Sequence, residues 1–317
     1  MKKLKITYIA KKEDENNLLK DILKKNLFVS NILLNKLKST NSILVNDIAK
    51  HVNYIISAND TITLDLENMN NIIYTDKNNI YYKKEKYLDK YKKIEYSIDI
   101  IYEDDYLLVV NKPYAIPTHP SCTNYETTLS NAVATYLEKQ NIYSIHIVTR
   151  LDKNTSGICI FAKNEYIQEL FIRKKNVINI QKEYIAIVNG IVKKEHEIIE
   201  KNIARKCNSI ILREVSDDGD YAKTEYFVKD RNIEKNYTIL KIILHTGRTH
   251  QIRVHMSSIE HVLLGDTLYA NEYNIQHIDK LINRQALHAY KISFNHPITE
   301  QKIILFANIP NDMKKLL

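Results

Sequence analysis

The sequence predicts an α+β fold, and three observations carry that reading. From about residue 95 onward, short runs of β-branched and aromatic residues follow one another with few helical stretches between them. That order favours a sheet of neighbouring strands over the alternating pattern of a doubly wound fold. Ahead of these runs, apolar residues recur twice at helical spacing. Finally, 317 residues at 44% hydrophobic suffice for a sizeable core divided between two domains.

Residues 1–69 read as a small unit of their own. Leu18, Leu19, Ile22, Leu23 and Leu27 share one helical face, and Ser30 is placed to cap a second helix whose apolar side is Leu33, Leu34 and Leu37. Ile43-Leu44-Val45 then runs into the turn pair Asn46-Asp47, and Thr61 to Leu66 alternates as a half-buried strand. In this order, and with Ala58-Asn59-Asp60-Thr61-Ile62, the segment resembles the S4 RNA-binding domain. That family carries basic residues on the helix that meets RNA, for which Lys36 and Lys38 are the candidates here, so a structural and an RNA-binding role both stay open. Residues 70–94, rich in Asn, Lys and Tyr without periodicity, read as a tether. Its tyrosines suit stacking on bases or packing on a neighbouring surface.

Residues 95–317 form the larger unit. Tyr96 to Val110 reads as a strand, a turn at Glu103-Asp104-Asp105 and an apolar strand. Further strands are expected at Ser144 to Val148, Ile158 to Ala162, Tyr184 to Val188, Ala222 to Val228, Tyr237 to Leu244 and Lys302 to Ala307. Helices are expected near Thr128 to Lys139 and Glu165 to Lys174. Around Arg253 two readings stay open: a helix capped by Thr249 with Ile252, Met256 and Ile259 inward, or a strand from His250 to Met256.

Composition narrows the function classes. A formal net charge of +8 and a pI near 9.0 favour an anionic partner. No apolar run is long enough for a membrane span, and no signal-peptide core follows Met1-Lys2-Lys3-Leu4-Lys5, so a soluble, cytoplasmic protein is expected. Cys122, Cys159 and Cys207 are odd in number and far apart, which supports buried, reduced thiols over a disulfide framework or zinc ribbon. His245, His250 and His255 recur every five residues, a spacing that splits them between faces of a helix or a strand, so no metal is expected.

The densest chemistry lies in Arg150-Leu151-Asp152-Lys153-Asn154-Thr155-Ser156-Gly157. Of 46 basic residues only 8 are arginine, and Arg150 is the first, which suggests that its planar fork is needed. Gly157 is one of five glycines and marks a point of positive φ or close approach. Four more segments accompany this run: Asn111-Lys112-Pro113-Tyr114-Ala115 through Pro120, Lys182-Glu183-Tyr184 through Gly190, His245-Thr246-Gly247-Arg248 through His255, and Gly265-Asp266-Thr267-Leu268-Tyr269. With Leu287-His288-Ala289 and His296-Pro297, they resemble the RluA family of RNA pseudouridine synthases over roughly residues 95 to 310.

That resemblance implies a mixed, mainly antiparallel central sheet flanked by helices and a cofactor-free isomerase acting on RNA, ribosomal RNA ahead of transfer RNA, as a monomer. It implies Asp152 as the catalytic carboxylate, Tyr184 as the aromatic that stacks on the target base, and Arg253 as the basic partner of Asp152. A nearby guanidinium favours the ionised carboxylate that such chemistry needs. Arg150 and Arg248 are candidates for contacts to phosphate or the flipped nucleotide, with structural ion pairs as the alternative. Lys112 and His119 either line the cleft or stabilise turns. Two positions depart from the family pattern: Thr149 where histidine commonly precedes Arg-Leu-Asp, and Ala115 where glycine commonly follows Lys-Pro. A non-catalytic RNA-binding or ribosome-assembly factor of the same fold is the competing reading.

Overall fold

A computed structural model describes residues 5–67, 72–76, 79–82, 93–94, 96–120, 127–272 and 281–317. The N-terminal part contains β1 (Lys5–Ile9), α1 (Leu19–Lys25), α2 (Asn31–Ser39), β2 (Ile43–Val45), β3 (Ile48–Ala49) and β4 (Thr61–Asp65). Its strands form an antiparallel sheet in the order β1-β4-β2-β3. Ser30 caps α2 as expected, its hydroxyl accepting from the Leu33 amide at 3.0 Å. Asn46 and Asp47 both take positive φ, 50° and 65°, the geometry of a tight turn between β2 and β3. Strand β1, which the apolar spacing did not announce, completes this sheet by pairing along all of β4.

Much of the expected tether 70–94 lies outside the described residues. Within it, β5 (Ile72–Asp76) and β6 (Asn79–Tyr82) pair antiparallel, so part of a segment read as unstructured is a two-stranded ladder.

The larger part runs through β7 (Asp99–Glu103), β8 (Leu107–Lys112), α3 (Leu129–Glu138), β9 (His146–Ile147), β10 (Ser156–Ala162), α4 (Glu165–Arg173), α5 (Lys175–Ile178) and β11 (Gln181–Asn189). It continues through β12 (His196–Glu200), β13 (Ile203–Arg205), β14 (Arg213–Val215), β15 (Lys223–Asn232), β16 (Tyr237–Leu244), α6 (Gln251–Ser257), α7 (Thr267–Glu272), β17 (Leu287–Asn295), β18 (Lys302–Phe306) and α8 (Asn311–Lys314). A ten-stranded sheet has the order β12-β15-β16-β11-β17-β10-β8-β7, with β18 added on β17 and β9 on β10. Its pairings are antiparallel except that of β10 with β17. This is the mixed, mainly antiparallel sheet that the sequence implied.

Helices explain why β8 and β10 are apolar on both faces. On one face α3 brings Leu129, Val133 and Leu137 onto Leu108, Val110, Cys159 and Phe161. On the other, Tyr166, Ile167 and Leu170 of α4 pack with Leu107, Val109, Ile158 and Ile160. The same cluster continues without a break into Leu33, Leu37, Ile62 and Leu64 of the N-terminal part. The Tyr166 hydroxyl donates to the Leu27 carbonyl at 2.9 Å, and Lys36 forms a 2.6 Å ion pair with Glu165 of α4. Lys36, a candidate for RNA, therefore spends its charge inside the protein, whereas Lys38 stays exposed.

Candidate active site

Sheet register brings the Asp152 loop beside Tyr184. Strand β17 lies between β10 and β11, and its Ala289 pairs with Gly157 on one side and Tyr184 on the other. Gly157 has φ +115°, and a Cβ there would lie 2.3 Å from the Ala289 carbonyl oxygen. The glycine thus lets β10 approach β17 closely, as its sequence context suggested, and Arg150, Asp152 and Thr155 just ahead of it line one cavity with Tyr184.

Helix α6 resolves the open reading around Arg253, which is helical. The expected Thr249 cap does not form; His250 occupies the cap position at φ 59° and offers no side-chain cap. The turn is held instead by buried Gln251, whose Oε1 accepts from the Thr246 hydroxyl at 2.8 Å and the Arg248 amide at 3.0 Å. Its Nε2 donates to the Lys223 carbonyl and the Thr224 hydroxyl. Arg253 is buried two residues further on and makes a two-pronged bond to Asp266, Nε at 2.6 Å and Nη2 at 2.8 Å. Its third nitrogen, Nη1, lies 3.6 Å from Asp152. The guanidinium also stacks 4.8 Å over the Tyr269 ring.

Arg253 therefore has two carboxylate neighbours, and the stronger partner is Asp266, not the Asp152 that the sequence pointed to. Burial opposes its charge, but Asp266 and then Asp152 more than offset this and raise its pKa. His250 adds a further group: its Nδ1 lies 2.9 Å from the Tyr269 hydroxyl and its Nε2 3.9 Å from Asp152. Burial pushes the imidazole below its ordinary pKa, which leaves it neutral at physiological pH. Tyr184 is buried, and burial pushes its hydroxyl well above the ordinary range. At neutral pH it offers a ring face and an O–H rather than a base.

A cavity of about 460 Å³ opens over these groups, within the range of small-ligand sites. Asp152, Tyr184, Arg253, Arg150, Arg248 and His119 all line it. Arg150 and His119 are exposed, and the nearby Lys182 is held below its ordinary pKa by burial. Arg248 is exposed too, with Nε on the Tyr221 carbonyl at 3.1 Å and Nη1 3.3 Å from Asp220.

Of the two readings left open for Lys112, cleft lining with RNA contact and turn stabilisation, the structure selects the second. It is fully buried, and its ammonium donates to the carbonyls of Pro113, Ile116 and Lys153 at 2.8 to 3.0 Å. Burial lowers its pKa to about 8. It braces the 113–116 turn against the Asp152 loop. Ala115, at the end of that turn, has φ 68°, so the alanine sits in the left-handed region where glycine is favoured. Thr149 is buried and its hydroxyl accepts from the Ile160 amide at 2.9 Å, a partner on β10 rather than in the cleft.

The remaining sequence candidates disperse. Cys159 is buried, Cys207 is exposed against expectation, and Cys122 lies outside the described residues. His245 meets Glu225 at 2.9 Å, while His255 lies buried between the Thr224 hydroxyl and the Lys201 carbonyl, so neither joins His250. Among the described residues no helix is long and apolar enough to cross a membrane.

Asp266, His250 and Tyr269 had been assigned no role from the sequence. Two of them stand in Gly265-Asp266-Thr267-Leu268-Tyr269, whose signal was the glycine. Gly265 has φ +72°, and a Cβ there would lie 2.2 Å from the Arg284 carbonyl oxygen.

A family model described as RNA pseudouridylate synthase matches residues 106–258. The chain is 36% identical over 220 residues to the uncharacterized RNA pseudouridine synthase YhcT of Bacillus subtilis, covering 69% of this chain and 71% of that protein. It is likewise 36% identical over 228 residues to the ribosomal large subunit pseudouridine synthase D of Vibrio cholerae, covering 69% of each. The solved structure of human RNA pseudouridylate synthase domain containing 4 shares the fold, with a TM-score of 0.54, 20% identity, and coverage of 68% of this chain and 90% of that one. The chain belongs to the RNA pseudouridine synthase family, as its motifs implied, and is an isomerase that acts on RNA.

Proposed function

We propose that this protein isomerises uridine to pseudouridine in large-subunit ribosomal RNA, with Asp152 as the catalytic residue, acting as a cofactor-free monomer in the cytoplasm. The observation that carries the site assignment is the meeting of Asp152, Tyr184 and Arg253, from three distant segments, at one cavity. The reaction breaks the bond from ribose C1′ to N1, turns the uracil, joins C5 to C1′, takes a proton onto N1 and releases one from C5. Asp152 begins it by attacking the uracil ring or the ribose, or by withdrawing a sugar proton, and each route needs its carboxylate. Tyr184 stacks on the lifted base and offsets its lost stacking. Arg253 is a positioning residue that holds Asp152 from a buried seat, and Arg150, Arg248 and His119 line the approach for the nucleotide and its phosphates.

Residues 1–69 form an S4-like RNA-binding unit in this reading, joined through 70–94 to the catalytic unit 95–317. The β1-β4-β2-β3 sheet and the Ser30-capped helix support it, as does a groove of about 400 Å³ lined by Lys38, Lys50 and His51. Ribosomal RNA is favoured because 36%-identical relatives carry that substrate in their names.

The test is to map pseudouridines in cellular RNA from a strain lacking this protein, then to treat that RNA with the purified enzyme. One large-subunit uridine left unmodified, and restored by the protein, is expected. Loss in transfer RNA alone would overturn the ribosomal assignment, and no lost site would favour the binding-factor reading.

A further inference from the structure

A second cavity, of about 440 Å³, adjoins the cleft and shares Arg150, Gly247 and Arg248 with it. Its far wall is the ladder of β13 with β14, in which Arg205 and Arg213 stand directly opposite one another. In a chain with 38 lysines and 8 arginines, four arginines thus line one groove, and Arg253 lies in the cleft next to it. Lysine would satisfy a need for solubility; arginine offers a planar fork that matches phosphate oxygens.

The groove is built rather than incidental. Gly219 lets the 216–220 turn close on β13, since a Cβ there would lie 2.5 Å from the Ile203 carbonyl carbon. The Arg213 amide donates to the Tyr269 hydroxyl at 3.2 Å, and that hydroxyl also meets His250, so this wall is tied to the floor of the cleft. Two carboxylates line the groove as well. Asp220 faces Arg248 at 3.3 Å and Asp218 lines the groove beside them, while Arg213 donates Nη1 to the Leu212 carbonyl at 2.9 Å, which anchors its fork. Arg150 and Arg205 are exposed and have no carboxylate partner among the described residues.

We infer that Arg205 and Arg213, with Arg150 and Arg248 at the junction, form a phosphate-binding groove that holds the RNA strand next to the nucleotide placed over Asp152. This rests on the proposed function for its direction, but the groove itself requires only a single-stranded phosphate backbone. Single strands lose about 0.7 in the slope of log affinity against log salt for each phosphate contact removed.

The experiment measures binding of a fluorescein-labelled 21-nucleotide oligouridylate to full-length protein carrying Asp152→Asn, across a salt series. Adding Arg205→Gln and Arg213→Gln is expected to weaken binding about tenfold and to lower the slope by about 1.4, two contacts at the single-strand value. Arg205→Lys with Arg213→Lys keeps most of the slope. Arg231→Gln, remote from the groove and held by the Val192 carbonyl and Glu195, leaves affinity and slope at the parent values. If the double variant lowers the melting temperature, exposed Arg205→Gln alone decides, with a slope fall of about 0.7 expected. Unchanged slope and affinity, or an equal fall in the Arg231→Gln variant, would overturn the groove. Because the probe is not ribosomal RNA, a wrong assignment of the target RNA leaves this result standing.

Discussion

Asp266 and Asp152 face the same guanidinium from surroundings that differ in every respect. The side chain of Asp266 is 1% exposed and takes both prongs of Arg253 at 2.6 and 2.8 Å; that of Asp152 is 27% exposed and lies 3.6 Å from the remaining nitrogen. A carboxylate locked in a two-pronged pair, buried and outside the cavity lining, is out of reach of substrate. One on the cavity wall, beside a guanidinium whose other donors are taken, stays open to substrate. The two regions suggest a division of labour for the proposed function: the buried floor sets position and stability, and the open rim presents the carboxylate proposed to react.

Attacking the floor should therefore cost stability. Asp266→Asn leaves Arg253 buried with a neutral partner, and a loss of about 3–5 kcal/mol in urea unfolding is expected, along with loss of turnover. Gly157→Ala comes next. Strain at φ +115° and the 2.3 Å approach to Ala289 force β10 from β17, at about 3 kcal/mol.

A smaller effect tests the same seam by pH. His288 on β17 is buried against the Ser156 hydroxyl at 2.9 Å, and burial lowers its pKa from 6.5 to about 4. The unfolded chain takes up this proton near 6.5 while the folded chain resists it until about 4, so stability falls as pH drops through that window. His288→Gln should remove about 2–3 kcal/mol of the difference between pH 7 and pH 4 unfolding. Least in size, and opposite in sign, is Ala115→Gly. Relieving φ 68° in the exposed turn should stabilise by about 1 kcal/mol, read as a rise in melting temperature with turnover retained.

The groups that line the cavity were more legible in the sequence than the carboxylate beneath them. Asp152, Tyr184 and Arg253 stood in segments whose composition and order marked them, and Gly157 announced its own positive φ. Asp266 stood in such a segment too but was given no role, because its bond to Arg253 exists only once residues 251–257 choose helix over strand. Lys112 was legible only as two alternatives, and the three carbonyls around it, which no local pattern announces, select turn stabilisation.

The fold divides similarly. Tyr237 to Leu244 and Glu165 to Arg173 follow their periodicity closely. Strand β17, the seam that unites the site, went unread because His288, Lys291 and Ser293 interrupt its apolar pattern. Ser156, Glu183 and Gln181, distant in sequence, satisfy those three side chains. Strand β12, His196–Glu200, is a short edge whose charged ends hid it.

The division of labour is tested most directly by purified Asp152→Asn, with pseudouridine formation in unmodified large-subunit ribosomal RNA and urea unfolding measured on the same sample. The account predicts a fall in turnover of at least about 10³-fold with stability within about 0.5 kcal/mol of the parent. Turnover close to the parent's, or instability like that of Asp266→Asn, would contradict it.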